Sequence, residues 1–190
     1  MNSLDARARY TRGEIRRCLL ELLKKKSIEK ITVTEICQMA QLNRATFYKH
    51  YLDVPDLLEK TENDLLEQLR TALGEAYSVK GITIESLCSS LERTLDFIRG
   101  GADEFMVLAS DNADPMLPTK TFELVTKLFY PVFEKNMAAL DEHKREMLYN
   151  YLTLGCGGVL MTWVRTGMQE SSREIASFIL TLSLGTSRSL

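Results

Sequence analysis

The amino-acid sequence predicts an all-α protein in two parts, a short basic module followed by a longer helical body. Three observations predict it. Apolar residues recur at helical spacing along nearly the whole chain, no stretch alternates apolar and polar residues between hairpin turns, and Ser, Thr, Asn and Asp stand where helix N-termini need caps. With 190 residues and 45% hydrophobic content the chain has material for a buried core, which excludes a disordered polymer. The net charge of −2 conceals a division: residues 1–60 hold 12 Lys+Arg against 8 Asp+Glu, and the rest hold 12 against 18. A basic end on an acidic body points to a module that meets a polyanion, although a run such as Lys24-Lys25-Lys26 is also ordinary at a solvated helix end.

Each helix has a local reason. The first is expected over Tyr10–Lys25, where Ile15, Leu19, Leu22 and Leu23 share one face and the lysines follow at the end that the helix dipole favours. A second starts at Thr32, three residues before Glu35 in capping-box spacing, and is expected to bury Ile36, Met39 and Ala40. After the break Gln41-Leu42-Asn43, Asn43 caps a third helix, Arg44–Tyr51. Asp53 caps a fourth, with Pro55 in its first turn where a missing N–H costs little, and a long helix continues from Leu57 to about Ala76. The body reads as helices over Ile84–Ile98, Asp103–Ala109, Thr121–Ala139, Asp141–Arg165 and Ser172–Leu184. Ser171 and Glu174 repeat the capping-box spacing, and Gly167 and Gly185 suit helix ends.

On a helical wheel of Arg44–Tyr51, Phe47 and Tyr51 share a face with Leu42 behind them, which locks the short helix onto the two before it. Ala45, Thr46 and Lys49 then point outward, with Tyr48 and His50 on the flanks. A helix, a tight turn and a second short helix with such a face match the helix-turn-helix, whose second helix enters the DNA major groove. Short helices with mixed polar faces are also common without that role. The stretch "ITVTEICQMAQLNRATFYKHYLDVPDLLEK" carries more than spacing. It resembles the DNA-binding signature of the TetR family of transcriptional regulators: a Thr opening helix 2, Ile and Ala on its buried face, a short turn, a Thr-aromatic-Tyr-x-His-aromatic run and an Asp-Leu-Leu start to helix 4. The resemblance covers about residues 10–60.

The resemblance implies a three-helix helix-turn-helix DNA-binding domain over residues 1–55 and a helical ligand-binding and dimerisation domain over residues 56–190. It implies three partners, a double-stranded DNA operator, a second copy of the chain and a small-molecule effector, and no cofactor or metal. Thr32, Thr46, Tyr48 and His50 become phosphate contacts; Thr34, Arg44, Ala45 and Lys49 become base readers. Chemistry agrees for Arg44, whose guanidinium can grip guanine O6 and N7, and for Ala45, whose methyl can meet a thymine methyl. Two departures stand out. The family's turn has Gly where this chain has Gln41, so Gln41 is strained in a left-handed conformation or the turn differs. A Lys usually follows the Asp53 position, and Val54 removes that phosphate contact. The implied activity is a repressor released from its operator by a ligand; the departures keep open a co-regulator or activator that works through protein contacts with weak or lost DNA binding.

In the last helix Ile175, Phe178, Ile179 and Leu182 form one apolar stripe, while Ala176, Leu180 and Leu184 form part of a second. The helix before it is apolar nearly all round from Met147 to Val164. A helix with two apolar faces needs two partners, and the second is either another subunit or the interior of a single-subunit core. Gly155, Gly157 and Gly158 each weaken a helix by roughly 0.5–1 kcal/mol relative to Ala, so they allow close helix approach or open space beside a cavity. Gly155 and Gly158 join the stripe of Ile175, Phe178, Ile179 and Leu182 as dimer-interface candidates. The "G-C-G-G" run with Trp163 is similar to a C-terminal subgroup of TetR-like proteins that includes regulators associated with dihydroxyacetone kinase. Candidate pocket residues are Phe105, Met106, Tyr130, Phe133, Tyr151 and Trp163, with ordinary core packing as the competing reading.

Other classes find little footing. No nucleophile elbow, phosphate loop or H-E-x-x-H occurs, and of two His, His50 lies on the DNA face and His143 sits beside Glu142 and Lys144 at a helix start, so an enzyme is not expected. Four Cys without a C-x-x-C pair point to reduced thiols and a cytoplasmic protein. Cys18, Cys37, Cys88 and Cys156 lack clustered basic neighbours, so inert thiols are expected, with Cys156 the one to test as a redox sensor. The charged N-terminus and the polar breaks Asn150, Thr153 and Thr162 argue against export and against a membrane partner.

Overall fold

The computed structural model describes residues 3–74, 84–136 and 140–188, with side chains at 6–71, 84–124, 126–127 and 140–185. Helices α1 (Ser3–Leu23), α2 (Val33–Met39), α3 (Arg44–Tyr48), α4 (Val54–Gly74), α5 (Ile84–Gly100), α6 (Ala102–Leu108), α7 (Leu117–Asn136), α8 (Glu142–Arg165) and α9 (Ser172–Arg188) follow in order, with a 3-10 turn at Ile28–Lys30. No strand occurs among the described residues. The chain divides into two compact units: Met1–Leu65 with Asp103–Pro115, and Leu66–Ala102 with Met116–Leu190.

In the first unit α1 starts at Ser3, a full two turns earlier than the apolar periodicity indicates, because Leu4 to Arg9 are mostly strong helix formers that need no buried face to propagate a helix already nucleated behind them. Its core face is Ile15, Cys18, Leu19, Leu22 and Leu23, all buried. The capping box at α2 is present in full: Glu35 N–H donates to Thr32 Oγ1 at 3.3 Å, and Thr32 N–H donates to Glu35 Oε2 at 3.0 Å. Lys26 steadies the same carboxylate at 2.6 Å. Helix α2 buries Ile36 and Cys37, whereas Met39 is 38% exposed and Ala40 half-buried. The contact stripe is centred between Ile36 and Cys37, about 110° away from Met39 on the wheel.

Asn43 caps α3 by accepting from Thr46 N–H at 2.7 Å. The helix closes at Tyr48 rather than Tyr51, since Lys49 to Tyr51 already turn toward the next cap. There Asp53 accepts from Asp56 N–H at 2.8 Å and Asp56 accepts from Leu52 N–H at 2.8 Å, a reciprocal pair at the head of α4. Residues 103–115 belong with this unit through specific bonds. Arg16 forms an ion pair with Glu104 on α6, and Asn112 donates to Leu23 O at 2.8 Å while accepting from Ile28 N–H at 2.7 Å.

In the second unit α7 packs along α8 and α5 along α9. Asp141 caps α8 by accepting from Lys144 N–H at 2.9 Å. Gly167 ends α8 as its position suggests: at φ +87° it allows Met168 N–H to reach Trp163 O at 2.9 Å and its own N–H to reach Val164 O at 3.1 Å, a Schellman pair. The capping box at Ser171 and Glu174 is formed. Gly185 does not stop α9, which runs on to Arg188; a single helical glycine costs only about 1 kcal/mol and no proline follows. Of the α8 glycines, Gly157 is buried, and a Cβ there would lie 3.7 Å from the Pro118 backbone, so this one is a site of close helix approach. Gly155 and Gly158 face open space. No described helix is long and apolar enough to cross a membrane.

Candidate nucleic-acid interface

Phe47 is the pivot of the interface. It is wholly buried, meets Tyr48 edge-on at 5.6 Å between ring centroids and Tyr51 at 5.6 Å, and so fixes the azimuth of α3 from its apolar side. What remains outside is Arg44, Ala45, Tyr48 and Lys49, all exposed, with Thr46 and His50 half-buried beside them. Tyr48 is 55% exposed with its ring base packed on Phe47, so its hydroxyl end is carried outward on a rigid stem. Thr46 Oγ1 donates to Asn43 Oδ1 at 2.8 Å, which orients it at the helix start.

The turn before α3 settles one of the alternatives. Gln41 has φ +54°, the left-handed region, with its side chain exposed. The tight turn expected of glycine is therefore made by a residue with a Cβ, at a cost of roughly 1–2 kcal/mol. That turn delivers Arg44 to α2, where its guanidinium donates to Thr34 Oγ1. Two residues ten positions apart become one group: Thr34 holds a cation that would otherwise sample many rotamers. Thr32 stands exposed at the α2 N-terminus with its hydroxyl engaged by Glu35. Val54 is buried in the unit, so its position serves packing.

Electrostatics at the far end of α3 centre on His50. Partial burial, then the positive charges of Arg12 and Lys49, push its imidazole below the usual histidine value. Lys60 donates to His50 O at 3.3 Å and lies 5.5 Å over the Tyr51 ring, tying this corner to α4. Arg12 is the residue that the sequence reading missed; it lies 38 positions away in the chain, and only the packing of α1 brings its charge to His50 and Tyr51. All eight candidate DNA contacts, Thr32, Thr34, Arg44, Ala45, Thr46, Tyr48, Lys49 and His50, thus lie in the first unit and keep some surface exposed.

The candidate pocket residues divide between the two units. Phe105, buried, and Met106, half-buried, sit on α6 in the first unit, whereas Tyr151 and Trp163 are on α8 in the second. Tyr151 is 63% exposed, on the outer face of α8. Trp163 is buried and fully engaged: its indole N–H donates to Glu170 O at 3.1 Å, and the Arg99 guanidinium stacks 5.1 Å over its ring while bonding Glu170 O and Met168 O. The side chains of Tyr130 and Phe133 lie outside the described residues. Among the interface candidates, Phe178 and Leu182 are 52% and 50% exposed, and Gly155 and Gly158 are exposed with them. Ile175 and Ile179 are buried within the unit, because α9 turns them toward the interior. Met147, Tyr151 and Leu154 extend the exposed apolar face along α8, and a groove between α8 and α9 is lined by Gly155, Cys156, Val159, Leu182 and Ser183. Burial pushes the Cys156 thiol up, away from the reactive thiolate, and its contact to Ser183 only partly opposes this.

An all-helical chain with a capped helix-turn-helix ahead of a helical body defines a regulator-type architecture. A family model for the C-terminal region of TetR-type transcriptional regulators matches residues 85–185, and the chain belongs to the TetR family of transcriptional regulators. It is 23% identical over 171 residues to the uncharacterised helix-turn-helix-type transcriptional regulator YxbF of Bacillus subtilis (strain 168), a match that spans 86% of this chain and 42% of that relative's length. A TetR transcriptional regulator from Streptococcus agalactiae 2603V has the same fold, with TM-score 0.69, 21% identity and coverage of 96% of this chain and 99% of that one. The dihydroxyacetone kinase operon activator DhaS also shares it, with TM-score 0.60, 14% identity and coverage of 95% and 97%.

Proposed function

We propose that the protein is a cytoplasmic, homodimeric repressor that binds an operator in double-stranded DNA and leaves it when a small molecule binds the body. The DNA-binding domain is assigned to residues 1–55, and ligand binding and dimerisation to residues 56–190. The observation that carries the reading is the outer face of α3: Arg44, Ala45, Tyr48 and Lys49 project together from a helix pinned by buried Phe47, and Thr34 presets Arg44. Such a face suits a major groove, where Arg44 reads guanine, Thr34, Ala45 and Lys49 share the base edges, and Thr32, Thr46, Tyr48 and His50 hold phosphates.

The dimer is supported by the exposed apolar face of Met147, Tyr151, Leu154, Phe178 and Leu182, which borders Gly155 and Gly158, where another backbone can approach closely. Two recognition helices related by a two-fold axis read inverted half-sites about 34–36 Å apart. Release by a ligand requires that it bind the DNA-incompetent dimer better than the competent one, so inducer and operator must weaken each other by the same factor. Selection of bound duplexes from a random pool by the purified protein tests the reading. An inverted repeat is expected; enrichment of no sequence, or of an asymmetric unrepeated site, overturns it.

A further inference from the structure

Five of the twelve basic side chains of the first unit are paired with carboxylates. Arg16, Arg17, Lys24, Lys26 and Lys60 each pair with a carboxylate. Arg9 and Arg12 are exposed and have no carboxylate partner among the described residues. They are also aligned. At about 100° per residue Arg9, Arg12 and Arg16 fall within about 60° of one another on α1, and at about 1.5 Å per residue the stripe is roughly 10 Å long. Arg16 fixes where that stripe faces, because it bonds Glu104 on α6 and lies 4.0 Å from Asp64 on α4. The same side of α4 carries Lys60, which holds the backbone of His50. Asp64 beside Arg16 and Lys60 against His50 stand four residues apart on one face of α4, so the stripe runs along that side, where the charge of Arg12 also acts on His50 and Tyr51, with Arg9 one turn further out.

We propose that Arg9 and Arg12 form a second phosphate track on α1, continuing the recognition face past Lys49 and His50 and gripping the DNA backbone that flanks each half-site. The inference rests on the reading of the protein as a DNA-binding dimer. Charge complementarity selects the occupant: two exposed guanidiniums one turn apart on α1 match phosphates, and guanidinium to phosphate is a strong bidentate pairing. Nothing in the stripe reaches for base edges, so its contribution is affinity without sequence preference.

The test uses the full-length dimer and duplexes taken from the random-pool selection, one trimmed to the selected repeat and one extended by about five base pairs of arbitrary sequence on each side, with binding measured against salt. On the extended duplex the Arg9→Ala/Arg12→Ala pair loses up to about 3.6 units of the log–log salt slope, about 0.9 for each of four phosphate contacts in the dimer, and keeps the wild-type sequence preference. The Arg9→Lys/Arg12→Lys pair retains most of the slope, and on the trimmed duplex the alanine pair and wild type coincide. Wild-type slope and affinity for the alanine pair on the extended duplex overturn the inference alone, as does a changed sequence preference. Absence of salt-dependent binding by the wild-type protein removes the DNA-binding reading and the track together.

Discussion

Phe178→Asp separates the two faces of α9. Phe178 is 52% exposed, and half of the roughly 200 Å² of a phenylalanine side chain is about 100 Å². At about 25 cal/mol per Å² its burial against a partner is worth about 2.5 kcal/mol. A two-fold interface buries it twice, so loss of both copies costs about 5 kcal/mol, or 10³ to 10⁴ in the dimer dissociation constant, before the added carboxylates are desolvated. Within one chain the same side chain is half in solvent, so the variant keeps its fold. Sedimentation across nanomolar to micromolar concentrations, with far-ultraviolet circular dichroism on the same samples, is the assay. The expected result is a wild type dimeric at micromolar concentration and a Phe178→Asp variant that is monomeric with its helix content intact. Ile179→Asp, at a residue 4% exposed, unfolds instead. A Phe178→Asp dimer of unchanged affinity, or a monomeric wild type, refutes the assignment of this face.

Arg44→Ala should relax preference at one position per half-site, at roughly 1–3 kcal/mol per lost base contact, whereas Tyr48→Phe weakens all sequences alike; selection and competition binding distinguish them, and the opposite pattern reverses reader and anchor. The pH dependence turns on His50, which is held below the usual histidine value of about 6.5 by partial burial, Arg12 and Lys49. A phosphate beside it favours the imidazolium, so binding takes up a proton and operator affinity rises as pH falls from about 8 toward 6, an effect that His50→Gln removes. The sign for the free protein is the reverse: the unfolded chain binds the proton more readily, so this contribution to stability is complete above 6.5 and declines as pH falls below it, as thermal melts will show. Relief of the left-handed strain at Gln41 makes Gln41→Gly neutral to about 1 kcal/mol stabilising, and Gln41→Val, β-branched at φ +54°, destabilising by more than 1 kcal/mol; denaturant melts that rank them the other way contradict the strain argument.

The starts of α2, α3, α4, α8 and α9 were legible in the sequence because their chemistry is local, whereas α1 and α7 begin earlier than their periodicity indicates. Thr32 with Glu35, Asn43 with Thr46, Asp53 with Asp56, Asp141 with Lys144 and Ser171 with Glu174 are bonds between residues three apart, so residue type and spacing suffice. The apolar side of α3 followed from Phe47 and Tyr51 in the same way; at Gln41 the sequence left a left-handed residue and a different turn as alternatives, and the structure has the first. What only the tertiary structure decided involves partners far apart in the chain. Arg44 meets Thr34, and Asn112 closes on Leu23 and Ile28, drawing residues 103–115 into the first unit and Phe105 with them. Periodicity shows that α9 carries two apolar stripes but not which one the rest of the chain covers. The packing of α9 against α5 buries Ile175 and Ile179 and leaves Phe178 and Leu182 outside. Spacing also gives no sign that Arg99, 64 positions before Trp163, stacks on its ring. A side chain's spacing sets the face on which it stands; whether that face meets core, partner or solvent depends on which distant element folds against it.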